Sequence, residues 1–326
     1  MFRSKIIGTG SYAPAKIMTN HDLEEIISTS DHWIAERTGI RERRIASKNE
    51  ATSDLAAIAA ERALEYAGLD PMELDLIVVA TSTPDMVFPS TACIVQDKIG
   101  ARRAAAFDIS AACSGFIYAL AVGDQYVRSG TFSSVLIIGA EVMSRIIDWT
   151  DRGTCILFGD GAGAVVLKRG RVDSGILSTH LHSDGALWDL IHVPGGGSRI
   201  PPSIDVLERK LNCIKMKGSE TFKVAVRTLA DAAWEALKAN NLRPSDLDLL
   251  IPHQANMRII KAVVEKLEIR MDKVVMNLDR FGNTSAASIP MALDEAAREG
   301  RIREGNFILM EGFGGGLTWG SAMVKW

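Results

Sequence analysis

"ALEYAGLDPMELDLI", residues 63–77, lies without a gap on "ALKANNLRPSDLDLL", residues 236–250. Ala63, Leu64, Leu69, Pro71, Leu74, Asp75 and Leu76 recur as Ala236, Leu237, Leu242, Pro244, Leu247, Asp248 and Leu249. Seven identities in fifteen positions at one offset favour a duplicated helix–turn–strand unit over chance likeness of two amphipathic segments. At nearly the same offset, "SAAC" (110–113) falls near "SAAS" (285–288). A helix start after "RFGNT" is therefore the expected counterpart of the one at Cys113. Two halves packed pseudo-symmetrically would turn both helix starts toward a common centre.

Working outward, strand-like and helix-like runs alternate. "LDLIVVATST", "AAAFDIS", "SSVLIIGAE" and "GAVVLK" are short, apolar and rich in β-branched residues. "TSDLAAIAAERALEYAG" has apolar residues at helical spacing, with Thr52 or Ser53 as its expected N-cap. Buried strands alternating with helices indicate an α/β fold with helices covering a sheet. The duplication divides the chain into halves, 1–170 and 171–326. "HVPGGGSRIPPS" has three glycines and three prolines, and reads as a loop that joins or caps them.

Bulk composition narrows the function. The chain has 326 residues, 47% hydrophobic and 24% charged, as an ordinary globular protein does. A net charge of −3 argues against general nucleic-acid binding, and leaves room for a local basic patch. No apolar run reaches the ~18–20 residues that span a bilayer, so no membrane partner is expected. "MFRSKIIGTG" shows no signal-peptide pattern. Cys93, Cys113, Cys155 and Cys213 lie far apart, without a C-x-x-C pair. That fits free thiols in a reducing cytoplasm and no zinc site.

"FDISAACSGFIYAL", residues 107–120, places Cys113 between a strand end and an apolar helix. Unpaired N–H groups and a partial positive charge at a helix start favour thiolate, drawing a cysteine pKa toward the ~3.5–7.5 range. Two readings stay open for Cys113: a small packed residue or a nucleophile. His253 follows the apolar strand of "DLDLLIPHQANMRII", at a strand end that the duplication turns toward the centre. His180 and His182 alternate on a strand without further ligands, so no metal is expected there. Asn283, before Thr284 and Ser285, either caps a helix or aims its amide into a cleft. "FGDGAGAVVL" is neither a P-loop nor a dinucleotide fingerprint, because no Lys-Ser/Thr follows and it leads into a strand. The closing "EGFGGGLTWGSAMVKW" allows close backbone approach near its glycines.

Together, "AACSGF", "PHQANMRII", "RFGNTSAAS" and "FGGGLTWGSA", in this order and at these spacings, resemble the β-ketoacyl-acyl carrier protein synthase III family. The resemblance runs from "KIIGTGSYAPA" to the final tryptophan, and includes "SDHWIAERTGIRERRIA" and "DRGTCILFGDGAGAVVL". It implies a thiolase-like five-layered α-β-α-β-α fold from two duplicated halves, and a homodimer. It also implies decarboxylative condensation of an acyl-coenzyme A (acyl-CoA) primer, acetyl-CoA first among candidates, with malonyl-acyl carrier protein. No metal or redox cofactor is implied.

The family's catalytic triad maps onto Cys113, His253 and Asn283, with Cys113 and Gly315 N–H groups as the implied oxyanion hole. Trp33 and Arg152 match residues that stack on adenine, and Arg37 matches a phosphate contact. Phe222 and Asn256 match residues along the pantetheine channel. Phe88 matches a residue that lines the partner's primer pocket. Lys223, Arg258 and Lys266 match basic residues implicated in carrier docking. Ser219 stands where some members have Asn, and Glu265 where the pattern is basic. Two other readings share the fold: an acyl-condensing or acyl-transferring relative of secondary metabolism, and a non-catalytic carrier-binding module. The intact triad speaks against both.

Overall fold

The computed structural model describes residues 3–170 and 173–326. Arg171 and Val172, at the expected division between halves, lie outside the described residues. The first sheet contains β1 (Arg3–Tyr12), β2 (Leu76–Ala80), β3 (Ala105–Ile109), β4 (Ser134–Val142) and β5 (Asp160–Gly170), in the order β1-β5-β4-β2-β3. The second contains β6 (Gly175–Ser183), β7 (Leu249–Pro252), β8 (Phe307–Gly314) and β9 (Thr318–Lys325), in the order β7-β8-β9-β6. The orders match strand for strand, except that β3 has no full counterpart. Val274 makes only a single parallel bridge to Leu250.

The alternation of side chains along each strand builds the layers. Ile77, Val79, Leu136 and Ile138 face outward onto α1 (Thr52–Ala67). Leu76, Val78, Val135 and Ile137 face inward onto α2 (Gly115–Ser129) and, from the other half, α5 (Ser288–Arg298). Ile251, Ile308, Met310 and Val324 of the second sheet close the same central core. Leu250, Leu309 and Met323 face outward onto α3 (Gly218–Ala239) and α4 (Met257–Lys266). The result is α-β-α-β-α, with α2 and α5 wrapped in apolar surface from both sheets.

The duplication extends beyond the quoted segment. 3₁₀ turns follow at Pro71–Glu73 and Pro244–Asp246, β4 and β8 start at Ser134 and Phe307, and further 3₁₀ turns begin at Ala112 and Ser285. Each pair is separated by the segment's own offset of 173 residues. This corrects the alignment of "SAAC" with "SAAS", which needs an offset two residues longer. The true counterpart of Cys113 is Ala286. Two shared Ser-Ala-Ala letters outweighed the register that the backbone keeps.

Two local expectations also change. The helix after Cys113 starts at Gly115, because Ala112–Ser114 form a 3₁₀ turn entered through a left-handed Ala112, φ 45°. The N-cap of α1 is Ala51, whose N–H donates to Asp54 Oδ2 at 2.7 Å. Thr52 and Ser53 spend their hydroxyls on Thr83 O and Asp85 instead, tying α1 to the next loop.

Candidate active site

Cys113, His253 and Asn283 line one cavity of about 750 Å³. Ser285, Phe313 and Gly315 line it with them. Trp33, Arg37, Arg152, Phe222, Lys223, Asn256 and Arg258 line it as well. His253 and Asn283 are buried, whereas Arg37, Arg152, Lys223 and Arg258 are exposed, so the cavity runs from a dry end to a charged mouth. Two expected site residues stand apart. Phe88 is 82% exposed on a loop, and Lys266 lies at the far end of α4, about 12 Å along the helix from Arg258.

Cys113 is the middle residue of its 3₁₀ turn and half-buried. The turn sits hard against β8, where a Cβ on Gly314 would lie 2.5 Å from the Cys113 nitrogen. Burial pushes the Cys113 thiol up to about 12. A hydrogen bond with Ser285 pulls the other way, and the nearby Glu141 carboxyl pushes it up again. The expectation of a resting thiolate is therefore corrected. Desolvation outweighs the helix terminus, which the intervening turn also holds one step away from the sulfur.

His253 follows β7, and its N–H donates to Glu311 O on β8 at 2.8 Å. Its ring is buried, and burial alone lowers its pKa to about 3, so the imidazole is neutral. Nδ1 lies 2.7 Å from Ser288 Oγ. That oxygen also accepts Gln254 N–H at 3.3 Å, and its own proton is assigned here as donating to Nδ1. In this assignment Nε2 carries the ring proton and serves as a donor.

Asn283 resolves both alternatives left by the sequence. Its Oδ1 accepts Ser285 N–H at 2.8 Å, so the side chain does brace the following turn. The amide orientation that this fixes leaves Nδ2 as the free donor. Its backbone is clamped by Leu157 and Gly159, with Asn283 N–H donating to Leu157 O at 2.8 Å and Gly159 N–H to Asn283 O at 3.0 Å. Arg43, fully buried, holds that segment by donating to Ile156 O at 2.8 Å.

At the mouth, the Arg152 guanidinium lies 4.7 Å from the Trp33 ring centroid, and Arg37 lies 5.3 Å from it. Arg152 therefore rests directly on the indole. To sandwich an adenine between them it must lift by roughly one ring thickness, about 3.5 Å. Asn256 caps α4 by accepting Arg258 N–H at 2.8 Å, and donates to Arg37 O at 3.1 Å. It thereby ties the two halves together beside the channel.

Glu141, Ser285 and Ser288 are the residues that sequence reasoning passed over. Both serines stand inside the quoted "RFGNTSAAS". Glu141 is the one acid ending the otherwise apolar "SSVLIIGAE", and a charge placed there was the available signal. Among the described residues, no group of three His, Cys, Asp or Glu side chains is arranged to hold a metal ion. No helix among them is long and apolar enough to cross a membrane.

Comparison with known proteins gives one answer. Residues 107–185 match the family model described as 3-Oxoacyl-[acyl-carrier-protein (ACP)] synthase III, and residues 237–326 match its C-terminal model. Beta-ketoacyl-[acyl-carrier-protein] synthase III of Caldanaerobacter subterraneus subsp. tengcongensis is 57% identical, over 98% of this chain and 97% of that protein. The protein of the same name from Alkalilimnicola ehrlichii is 56% identical over the full length of both. The crystal structure of 3-oxoacyl-[acyl-carrier-protein] synthase III from Aquifex aeolicus VF5 superposes with a TM-score of 0.93 at 50% identity, covering 99% of this chain and 100% of that one.

Proposed function

Because the chain belongs to the β-ketoacyl-acyl carrier protein synthase III family, we propose that this cavity is its active site, with Cys113 as nucleophile and His253 and Asn283 as donors to the enolate. The enzyme is an acyltransferase of the condensing, thiolase-like type, and it initiates fatty acid synthesis. Its substrates are an acyl-CoA and a malonyl-acyl carrier protein. The observation that carries the assignment of roles is the convergence of the three side chains, drawn from both halves, on one cavity.

The Cys113 sulfur attacks the acyl-CoA thioester carbon, and the acyl group passes to Cys113 as coenzyme A departs. The N–H groups of Cys113 and Gly315 hold the oxyanion of that step. Malonyl-acyl carrier protein then binds along the same channel. Loss of CO₂ leaves an enolate on its thioester oxygen, and His253 Nε2–H and Asn283 Nδ2–H donate to that oxygen. The enolate carbon attacks the acyl-Cys113 carbonyl, forming the β-ketoacyl product and releasing the sulfur. A neutral imidazole suits this work, since it donates a hydrogen bond without having to shed a charge first. The release of CO₂ drives the condensation, so the reaction calls for no metal or redox cofactor.

Acetyl-CoA is the primer in this reading, and the adenine end lies at Trp33, Arg37 and Arg152. Phe222 and Asn256 border the pantetheine arm. Lys223, Arg258 and Lys266 receive the carrier protein. The working form is a cytoplasmic homodimer. Three consecutive apolar side chains, Met86, Val87 and Phe88, stand 48%, 92% and 82% exposed. The half-exposed apolar strand β3 leaves one edge of the first sheet open. An open edge beside an apolar loop is the kind of surface that a second copy covers.

Incubation with acetyl-CoA and malonyl-acyl carrier protein tests the reading. Acetoacetyl-carrier protein is the expected product. An acyl-enzyme that never condenses, or a protein that takes up no acyl group, would overturn it.

A further inference from the structure

The loop between β8 and β9, residues 315–317, brings Gly315 to the cavity, and its two flanks are held differently. On the outer flank Leu317 and Asp184 exchange backbone hydrogen bonds, Leu317 N–H to Asp184 O at 3.0 Å and Asp184 N–H to Leu317 O at 2.9 Å. On the inner flank a side chain takes over. Thr318 Oγ1 lies 3.2 Å from Gly315 O, in its own half, and 3.0 Å from Ala111 O, in the other. Among the described residues Thr318 Oγ1 is the one donor to Gly315 O, and the Gly315 N–H donates to no protein acceptor.

Ser114 completes the cluster. Its buried hydroxyl lies 2.8 Å from Thr318 Oγ1 and 2.8 Å from Ala111 O, which also accepts Ser114 N–H at 3.2 Å. Two hydroxyl protons thus serve three oxygens. Ala111 O already has an N–H and Gly315 O has no other donor. The Thr318 proton is therefore assigned to Gly315 O, and the Ser114 proton is shared by Thr318 Oγ1 and Ala111 O. Ala111 O is the acceptor that closes the 3₁₀ turn around Cys113. Between it and Cys113 stands Ala112, left-handed at φ 45°, a conformation that a residue with a side chain holds only where its surroundings impose it. Cys113 and Gly315 line the cavity, whereas Thr318 and Ser114 stand behind that wall, so these hydroxyls reach a substrate only through the backbone they hold.

We propose that Thr318 is a positioning residue for the oxyanion hole: its hydroxyl, backed by that of Ser114, fixes the spacing between the N–H groups of Cys113 and Gly315. This rests on the reading of Cys113 as the nucleophile and of those two N–H groups as the hole. The two donors come from different halves and from short irregular segments, so no single helix or strand sets the distance between them. An oxyanion is stabilised only when both reach one point, at about 2.7–3.1 Å. Acylation and condensation build negative charge there, whereas the enolate left by CO₂ is received by His253 and Asn283. The brace therefore serves the steps at the acyl carbonyl and not decarboxylation.

Thr318→Val keeps the shape of the side chain and removes the hydroxyl, and Thr318→Ser keeps the hydroxyl. The wild-type adduct is first mapped by mass spectrometry, since an adduct away from Cys113 would sink the underlying reading and not merely the brace. Given the adduct on Cys113, single-turnover acylation at saturating acetyl-CoA should fall roughly 10- to 100-fold in Thr318→Val, and Thr318→Ser should restore it to within about threefold of wild type. Affinity for coenzyme A and CO₂ release from malonyl-acyl carrier protein should each change by less than about threefold, because neither builds charge in the hole. A loosened fold would lower all three together. Difference infrared spectra of enzyme acylated with carbonyl-labelled acetyl-CoA report on the hole itself. The thioester carbonyl band should move to higher frequency in Thr318→Val, since weaker hydrogen bonds leave the C=O bond stiffer. Acylation of Thr318→Val close to the wild-type rate, no recovery in Thr318→Ser, an unmoved carbonyl band, or an equal loss of decarboxylation would each overturn the proposal. If Thr318→Val does not fold, Ser114→Ala decides in its place. It should slow acylation several-fold and spare decarboxylation, and the absence of that split would overturn the proposal as well.

Discussion

Ala112 and Ser285 occupy equivalent places in the two halves, and both enter a 3₁₀ turn through the left-handed region, at φ 45° and 49°. Each turn leads into a central helix, and each packs against the middle strand of the opposite half. Gly312 of β8 faces the first turn, where a Cβ would lie 3.1 Å from Ser114 Cα. Gly139 of β4, its equivalent at the same offset, faces the second, where a Cβ would lie 2.1 Å from Ala286 O. The backbone is thus a near-twofold device that brings two turns face to face. Chemistry enters where the side chains depart from that symmetry. Cys113 stands opposite Ala286, and Glu141 occupies the place that Gly314 has in the other half. One half carries Cys113 and the buried Glu141. The other carries His253, Asn283 and Ser285, whose hydroxyl donates to Glu141 at 3.0 Å.

The largest test of this division is Cys113→Ser. The variant should form no stable acetyl adduct, and intact-protein mass spectrometry reads this directly. An adduct surviving on Cys93, Cys155 or Cys213 would mean that the turn positions a bystander. Ala286→Cys in the Cys113→Ser background should not restore acylation, because the proposed oxyanion-hole donors are arranged around the first turn.

The sequence carried the symmetric part of this well and the asymmetric part poorly. "ALEYAGLDPMELDLI" against "ALKANNLRPSDLDLL" gave the duplication, because a strand and the helix feeding it keep their pattern of burial. Cys113, His253 and Asn283 were picked out by the family resemblance, position alone leaving their roles open, and the structure places all three on one cavity. Glu141 was not picked out, since nothing in a linear pattern says that a strand-ending acid will meet Ser285, 144 positions away. The thiol's state was misjudged for the same reason. A helix start is visible in one segment, whereas desolvation comes from every segment packed around it. The resemblance paired Trp33 with Arg152 across an adenine, and did not foresee that Arg152 rests on the indole.

Next in size are His253→Ala and Asn283→Ala, which probe the other half. Each should leave acylation of Cys113 largely in place and slow malonyl decarboxylation by orders of magnitude, since the enolate loses a donor worth roughly 3–4 kcal/mol. In the wild type, burial holds the imidazole neutral down to about pH 3. Decarboxylation should therefore show no ionisation assignable to His253 between about pH 5 and 8, since its protonation begins only below that window. A decarboxylation rate that titrates near the ordinary histidine value in the wild type but not in His253→Ala would show that the ring is more hydrated than its burial implies. Unchanged CO₂ release in both alanine variants would remove the donor roles altogether.

The smallest expected effect lies at the mouth, where the halves also divide the work. Trp33, Arg37 and Arg152 belong to the first half, and Lys223 and Arg258 to the second. Arg258 is exposed, lies 5.7 Å over the Phe222 ring and starts α4 beside the channel. The chain carries a net charge of −3, so attraction for an acidic carrier must come from a local group such as this one. A rim charge acts mainly on encounter, through water and salt, and single exposed pairs are worth about 1 kcal/mol or less. Charge reversal in Arg258→Glu should raise KM for malonyl-acyl carrier protein several-fold and flatten its salt dependence, because the attraction that salt screens has been removed. KM for acetyl-CoA should move much less, since the proposed adenine site, at Trp33, Arg37 and Arg152, lies in the other half. Equal losses with both substrates would place Arg258 in the coenzyme A channel, through its contact with Phe222. The division of the mouth between the halves would then fail, even if the division of the chemistry stood.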